Sequence, residues 1–176
     1  MRDGLVIRAA VAADGEAIDR IIRAAFARTR FGHQGEAELV PMVEADDHLL
    51  VSLVAEAEGE IAGHMLFSRM DVEADGAAMT AGGLAPVSVV PERQGRGIGS
   101  ALIRAGLEDL RARGVAMSFV LGSVSYYARF GYSPRLAARF ASPFAGPHFM
   151  AMMLDSDAPW PLGGRADYAP AFGRMG

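Results

Sequence analysis

Gln94-Gly95-Arg96-Gly97-Ile98-Gly99 is the stretch on which the reading of this 176-residue chain turns. It follows the apolar run Leu84-Ala85-Pro86-Val87-Ser88-Val89-Val90-Pro91, and it opens a segment in which Ile98, Ala101, Leu102, Ala105, Leu107 and Leu110 mark one face of a helix. Arg111, Arg113 and then Gly114 end that helix, with cations against its dipole and a glycine for the C-terminal cap. A strand, a glycine turn and a helix thus stand in a row. Glycines there let the backbone approach a ligand closely, and the free amides of a helix N-terminus attract an anion. The same glycines also suit a bare strand-to-helix turn, so the flanking residues have to decide.

Two familiar anion loops do not fit. A triphosphate loop needs a lysine followed by Ser or Thr, and the chain has no lysine. A dinucleotide turn needs the spacing G-x-G-x-x-G and an acidic residue ending the next strand. Here the spacing is G-x-G-x-G, and the next strand runs Phe119-Val120-Leu121-Gly122.

Working outward, Leu5 to Ala9 reads as a first strand. Asp14 stands where it can cap a helix carrying Ile18, Ile21, Ile22, Ala25 and Phe26. Arg28 to Gly35 reads as a loop. A short helical pattern follows with Glu36, Leu39, Val40 and Val43, in which Pro41 predicts a kink or a later start. Leu49 to Ala57 and Ile61 to Phe67, joined by Glu58-Gly59-Glu60, predict a hairpin, and a third antiparallel strand is predicted over Ala77 to Val90 after a turn at Asp75-Gly76. After the long helix come a strand at Met117 to Leu121, a short helix at Ser125 to Phe130, a turn at Ser133-Pro134 and an apolar strand at Phe149 to Leu154. The order predicts an α+β domain with a mixed, mostly antiparallel sheet flanked by helices. Residues 1–155 form that domain in this reading. Residues 156–176 form a Pro/Gly-rich tail that packs on it or extends it.

Composition removes several functions. With no cysteine there is no disulfide, no thiolate metal site and no cysteinyl intermediate. A formal net charge of −4 with scattered arginines gives no footprint for nucleic acid. His33, His48, His64 and His148 lack paired ligand spacing, so no metal is expected. Gly122-Ser123-Val124-Ser125-Tyr126 lacks the second glycine of a hydrolase elbow. No apolar run reaches the roughly 20 residues of a membrane span, and the N-terminus lacks a signal-peptide core, so a cytoplasmic location is expected.

Gln94, Gly97 and Gly99 resemble the Q/R-x-x-G-x-G/A signature of the GNAT superfamily of N-acetyltransferases. Leu84 to Pro91 is similar to its central strand, and Tyr126-Tyr127-Ala128-Arg129-Phe130-Gly131-Tyr132 to its Y-x-x-F-G-F/Y segment. Gly63-His64-Met65-Leu66-Phe67-Ser68, Val120-Leu121-Gly122-Ser123 and Tyr168-Ala169-Pro170-Ala171-Phe172 further resemble the YhbS-like branch, so the likeness runs from about Leu5 to Phe172. The resemblance implies a sheet splayed between its fourth and fifth strands, with acetyl-CoA lying in the gap as co-substrate.

In that scheme Val87 and Val89 hold the pantetheine arm by their backbone. Gln94, Gly95, Arg96, Gly97, Ile98, Gly99 and Ser100 cradle the pyrophosphate, with Arg93 and Arg96 adding charge. The Val89 amide faces the thioester oxygen, and Tyr127 touches the coenzyme and protonates the departing thiolate. Tyr127 can equally be a packing tyrosine. Glu36 is the implied base that frees an amine acceptor, ahead of His33 and His64, the latter reading more simply as a core residue.

The expected reaction is direct transfer of acetyl to a primary amine, of a small molecule or a peptide, within a ternary complex. A coenzyme-binding sensor without turnover, transfer to oxygen, or use of a longer acyl-CoA would share the same coenzyme residues. The tail around Pro159-Trp160-Pro161 suits a homodimer contact.

Overall fold

Helix α1 (Gly15–Ala27) buries Ile18, Ile21 and Ile22 on one stripe, and helix α3 (Ile98–Ala112) buries Ile98, Leu102, Ile103, Leu107 and Leu110 on another. A stripe of that kind needs a sheet to lie on. In the computed structural model, which describes residues 4–29, 32 and 34–175, the two helices lie on opposite faces of one six-stranded sheet. Its strands are β1 (Leu5–Ala9), β2 (Leu49–Ala57), β3 (Glu60–Arg69), β6 (Ala81–Val89), β7 (Met117–Leu121) and β9 (Phe149–Met153), in the spatial order β1-β2-β3-β6-β7-β9. Only β6 and β7 run parallel; the other neighbours are antiparallel. Along β2 and β3, Val51, Leu53, Met65 and Phe67 face α3. Val54 and Leu66 face α1 and the second helix, α2 (Glu36–Ala45). Apolar residues on both faces explain why these strands read as unbroken runs.

A smaller sheet contains β4 (Asp71–Ala74), β5 (Ala77–Met79), β8 (Phe140–Ala141) and β10 (Gly164–Asp167). Its spatial order is β5-β4-β10-β8, and it covers the β7–β9 end of the α1 face. Phe119 packs edge-on to Phe140 and stacks with Phe149, each at 5.4 Å, and joins the two sheets. Two short helices, α4 (Val124–Tyr127) and α5 (Pro134–Ala137), follow β7.

Three local expectations need correction, and the tail resolves into defined structure. The strand predicted over Ala77 to Val90 is two strands in different sheets. The chain switches at Thr80, whose carbonyl accepts from Ala116 and Met117. Helix α2 begins at Glu36 and continues through Pro41, which faces solvent. Asp14 precedes α1, but its carboxylate accepts from the Val11 amide and binds Arg8 instead of capping that helix. The tail carries β10, paired with both β4 and β8, and its last turn, Pro170–Arg174, packs on α2 through Ala171.

Candidate active site

The pairing of β6 with β7 runs from Ala81–Met117 to Leu84–Val120 and then stops. At that point β6 carries one extra residue relative to β3: its register steps from Leu84 opposite Phe67 to Val87 opposite Met65. The extra residue falls at Ala85-Pro86, where proline leaves no N–H to be stranded, and such a bulge bends a strand. Beyond it, the fourth and fifth strands of the sheet part.

Val90 donates to the Ala62 carbonyl of β3 at 2.9 Å. Backbone groups alternate sides along a strand, so the amides of Val87 and Val89 point away from β3 and into the gap. The Val89 carbonyl, on that same side, accepts from the Gln94 side-chain nitrogen at 3.0 Å. Gln94 thereby ties the glycine turn to the end of the splayed strand.

The turn itself passes through Gly95 and Gly97, with φ of 72° and 79°, a left-handed backbone that favours glycine. Helix α3 then starts at Ile98, and its first-turn amides have no partner within the helix. Gly99 lies close under the ring of Tyr126: a Cβ there would stand 3.3 Å from the Tyr126 hydroxyl and 3.7 Å from Val89. Ser100 Oγ is 3.3 Å from the same hydroxyl. Arg96 is exposed beside the turn, whereas Arg93 is taken by Glu58 at 2.7 Å. The Arg129 guanidinium lies 4.6 Å over the Tyr126 ring.

Val87, Ser88, Val89, Gln94, Gly99, Tyr126 and Tyr127 line a cleft of about 260 Å³, together with Ala25 and Phe26 from the end of α1 and Thr29 from the turn that follows it. Tyr127 rests on Gly122, where a Cβ would meet its ring at 2.7 Å, and it meets Tyr126 edge-on at 5.0 Å and Tyr132 at 6.0 Å. Burial pushes the Tyr127 phenol up to about 12, so at neutral pH it holds its proton. A proton donor, inward-facing amides and an anion-seeking helix start therefore surround one gap.

Other nominated residues stand elsewhere. Glu36 is the first residue of α2, its carboxylate accepts from the Gln34 amide at 2.6 Å, and it is not among the described residues that line the cleft. His33 lies outside the described residues. His64 is fully buried in β3, with Nε2 at 2.9 Å from Ser52 Oγ and Nδ1 without a hydrogen-bond partner among the described residues, and burial holds it down at about 4, neutral at physiological pH. No group of three or more potential metal ligands occurs among the described residues. No described helix is long and apolar enough to cross a membrane.

Sequence reasoning did not single out, as site residues, Ser88, Tyr126 or the residues at and just beyond the end of α1, Ala25, Phe26 and Thr29. For Ser88 the signal was present, since it lies between Val87 and Val89. For the last three there was none, because only the packing angle of that helix brings its end to the gap.

Residues 6–135 match the acetyltransferase (GNAT) domain family. The chain is 31% identical to the uncharacterised N-acetyltransferase YhbS of Escherichia coli, over 97% of this chain and all of the relative. It is 36% identical to the uncharacterised N-acetyltransferase YjhQ of the same species, over 75% of this chain and 76% of that one. Among solved structures, a GNAT family acetyltransferase from Brucella melitensis in complex with acetyl-CoA superposes with a TM-score of 0.79. It has 36% identity, with 96% of this chain and 97% of that one covered. Escherichia coli YhbS in complex with CoA superposes with a TM-score of 0.85 at 28% identity, covering 98% and 94%. With its splayed α+β sheet and glycine turn, this chain belongs to the GNAT family of acetyltransferases.

Proposed function

We propose that the chain transfers an acetyl group from acetyl-CoA to a primary amine, directly, within a ternary complex. The observation that carries this reading is the gap between β6 and β7, into which the Val87 and Val89 amides point and at whose mouth the turn starts α3. The gap suits an extended amide-bearing arm, and the amides of residues 95–100 suit a pyrophosphate. The two solved relatives that hold CoA or acetyl-CoA support the same placement.

Acetyl-CoA supplies an activated acyl group and a thiolate leaving group. The chain's residues supply the rest. The Val89 amide is positioned to donate to an oxygen that gains negative charge as the amine attacks, an effect worth roughly 10²–10³ in rate for one such donor. Tyr127, protonated and lining the cleft, gives its proton to the sulfur. With no cysteine in the chain, a cysteinyl thioester on the enzyme has no place in this scheme. The acceptor enters beside Ala25, Phe26 and Thr29. Glu36 is not among the described residues that line the cleft. In this scheme the acceptor attacks as the neutral amine that has already left its proton in bulk solvent, and the proton its nitrogen sheds on forming the amide restores the Tyr127 phenol.

The test is thiol release from acetyl-CoA against panels of small amines, peptides and hydroxyl acceptors, beside coenzyme binding without acceptor. Amine-dependent release supports the reading. Binding with no release across the panels would point to a coenzyme sensor, and release only with hydroxyl acceptors would move the chemistry to oxygen.

A further inference from the structure

A second cavity, of about 640 Å³, opens between the start of α1, helix α2 and strand β2. It is separate from the transfer cleft. Phe26 lines the cleft and Glu16 lines the cavity, roughly 15 Å apart along α1 at 1.5 Å per residue. Its volume falls within the range of about 300–1,000 Å³ that holds small ligands.

The lining has two chemistries. Ile18 and Val40, both nearly inaccessible, form its inner wall with Leu49 and the Ser52 hydroxyl, and Val11 adds an apolar side chain that is 59% exposed. The charged lining residues are Glu16, Asp19 and Glu44; no arginine or histidine lines the cavity among the described residues. Asp19 is neutralised by Arg23 at 2.9 Å. Glu16 and Glu44 are exposed and make no ion pair among the described residues. The nearby Arg8 is already held by Asp14 and Glu56.

We propose that this cavity is a second ligand site, which takes an organic ammonium ion with an apolar body. The apolar wall buries the body, and Glu16 and Glu44 meet the cation at the mouth. A carboxylate ligand would face two like charges, and an uncharged one would gain only the apolar contact. Ser52 stands at the inner end with its hydroxyl bonded to His64, so a bound molecule would sit one residue from the polar row that reaches Ser88 of the cleft.

Hexylamine, hexanol and hexanoate, which share a tail and differ in charge, are the probes. Each is titrated into the full-length chain while backbone amide resonances are followed by NMR. Hexylamine is expected to move the amides of residues 10–12, Glu16 and Ser52, with at least fivefold higher affinity than hexanoate and with a clear loss on adding salt. Glu16→Gln/Glu44→Gln, two exposed changes, is expected to lower hexylamine affinity about fivefold and leave hexanol unchanged. Absent binding, equal affinity for hexylamine and hexanoate, shifts confined to Val87–Val89, or unchanged hexylamine binding by the folded double variant would each overturn the assignment. Acetyl-CoA added separately reports on residues 87–100, so a failure of the coenzyme reading is visible independently.

Discussion

The Gln94 side chain donates to the main-chain carbonyl of Val89 at 3.0 Å, and through this bond the glycine turn is fixed to the end of the splayed strand. The carbonyl is thereby occupied while the Val89 amide on the same side of the strand stays directed into the gap. A residue that starts the turn also sets the strand that faces it.

Removing that bond should loosen both. Gln94→Ala is expected to cost about 1 kcal/mol of stability, the usual net worth of one such bond, and to weaken acetyl-CoA binding several-fold. Gln94→Glu should weaken coenzyme binding further, because a carboxylate would face the carbonyl and add negative charge beside the phosphates. Thermal melts and calorimetric titrations with acetyl-CoA check both, and full affinity in Gln94→Ala would detach the bond from coenzyme binding.

The two neighbouring tyrosines should separate by role. Tyr127→Phe removes the proton donor and keeps the ring on Gly122, so turnover is expected to fall between about 10²-fold and 10⁴-fold with coenzyme affinity little changed. Tyr126→Phe removes the hydroxyl beside Ser100 and is expected to act on coenzyme affinity first. With the Tyr127 phenol raised to about 12, the donor stays protonated across the neutral and mildly alkaline range. Steady-state rates and coenzyme titrations for both variants, with an acceptor from the panel assay, test this. A fully active Tyr127→Phe would remove the general acid.

His64 should make the fold sensitive to mild acid. Folded, the ring sits at about 4; unfolded, at 6.5. Above 6.5 it is neutral in both states. As pH falls from 6.5 toward 4, the unfolded chain takes up a proton that the folded chain refuses, so stability falls through that window and levels off below it. The loss approaches about 3 kcal/mol. Asp14, lowered to about 2 chiefly by its hydrogen bond with Arg8, contributes stability that is present above 3.8 and lost as pH falls through 2. Denaturant melts from pH 7 to 4 should show the first loss, and His64→Gln should flatten it. A wild-type chain equally stable at pH 7 and pH 4.5 would contradict the buried neutral ring.

Much of the fold was legible because period and punctuation agreed. The β2–β3 hairpin turns at Glu58-Gly59, both at positive φ, and α3 ends at Gly114 in the same left-handed region. What stayed hidden was set by tertiary contact. Thr80 switches the chain between sheets with no glycine or proline to mark it, and β10 enters the small sheet from a tail whose composition reads as loop. At the site, the glycine turn was marked by its spacing and Tyr127 by the resemblance of residues 126–132 to a family segment, and Gly99 and Tyr127 both line the cleft. The residues at and just beyond the end of α1 carried no such mark, since they are distant in sequence and meet the cleft only through packing on the sheet.

The central claim, that acetyl-CoA lies in the gap between β6 and β7 with its phosphates on residues 95–100, is tested most directly by titrating acetyl-CoA into the wild-type chain and Gly97→Val. Gly97 caps α3 with φ of 79°, where a β-branched residue costs roughly 1–2 kcal/mol and displaces the first-turn amides. One coenzyme per chain is expected for the wild type, with stability rising by about 2.7 kcal/mol at a hundredfold excess over Kd, and the folded variant should lose at least tenfold in affinity. No binding by the wild type, or unchanged affinity in a Gly97→Val chain with a native circular dichroism spectrum, would contradict the placement.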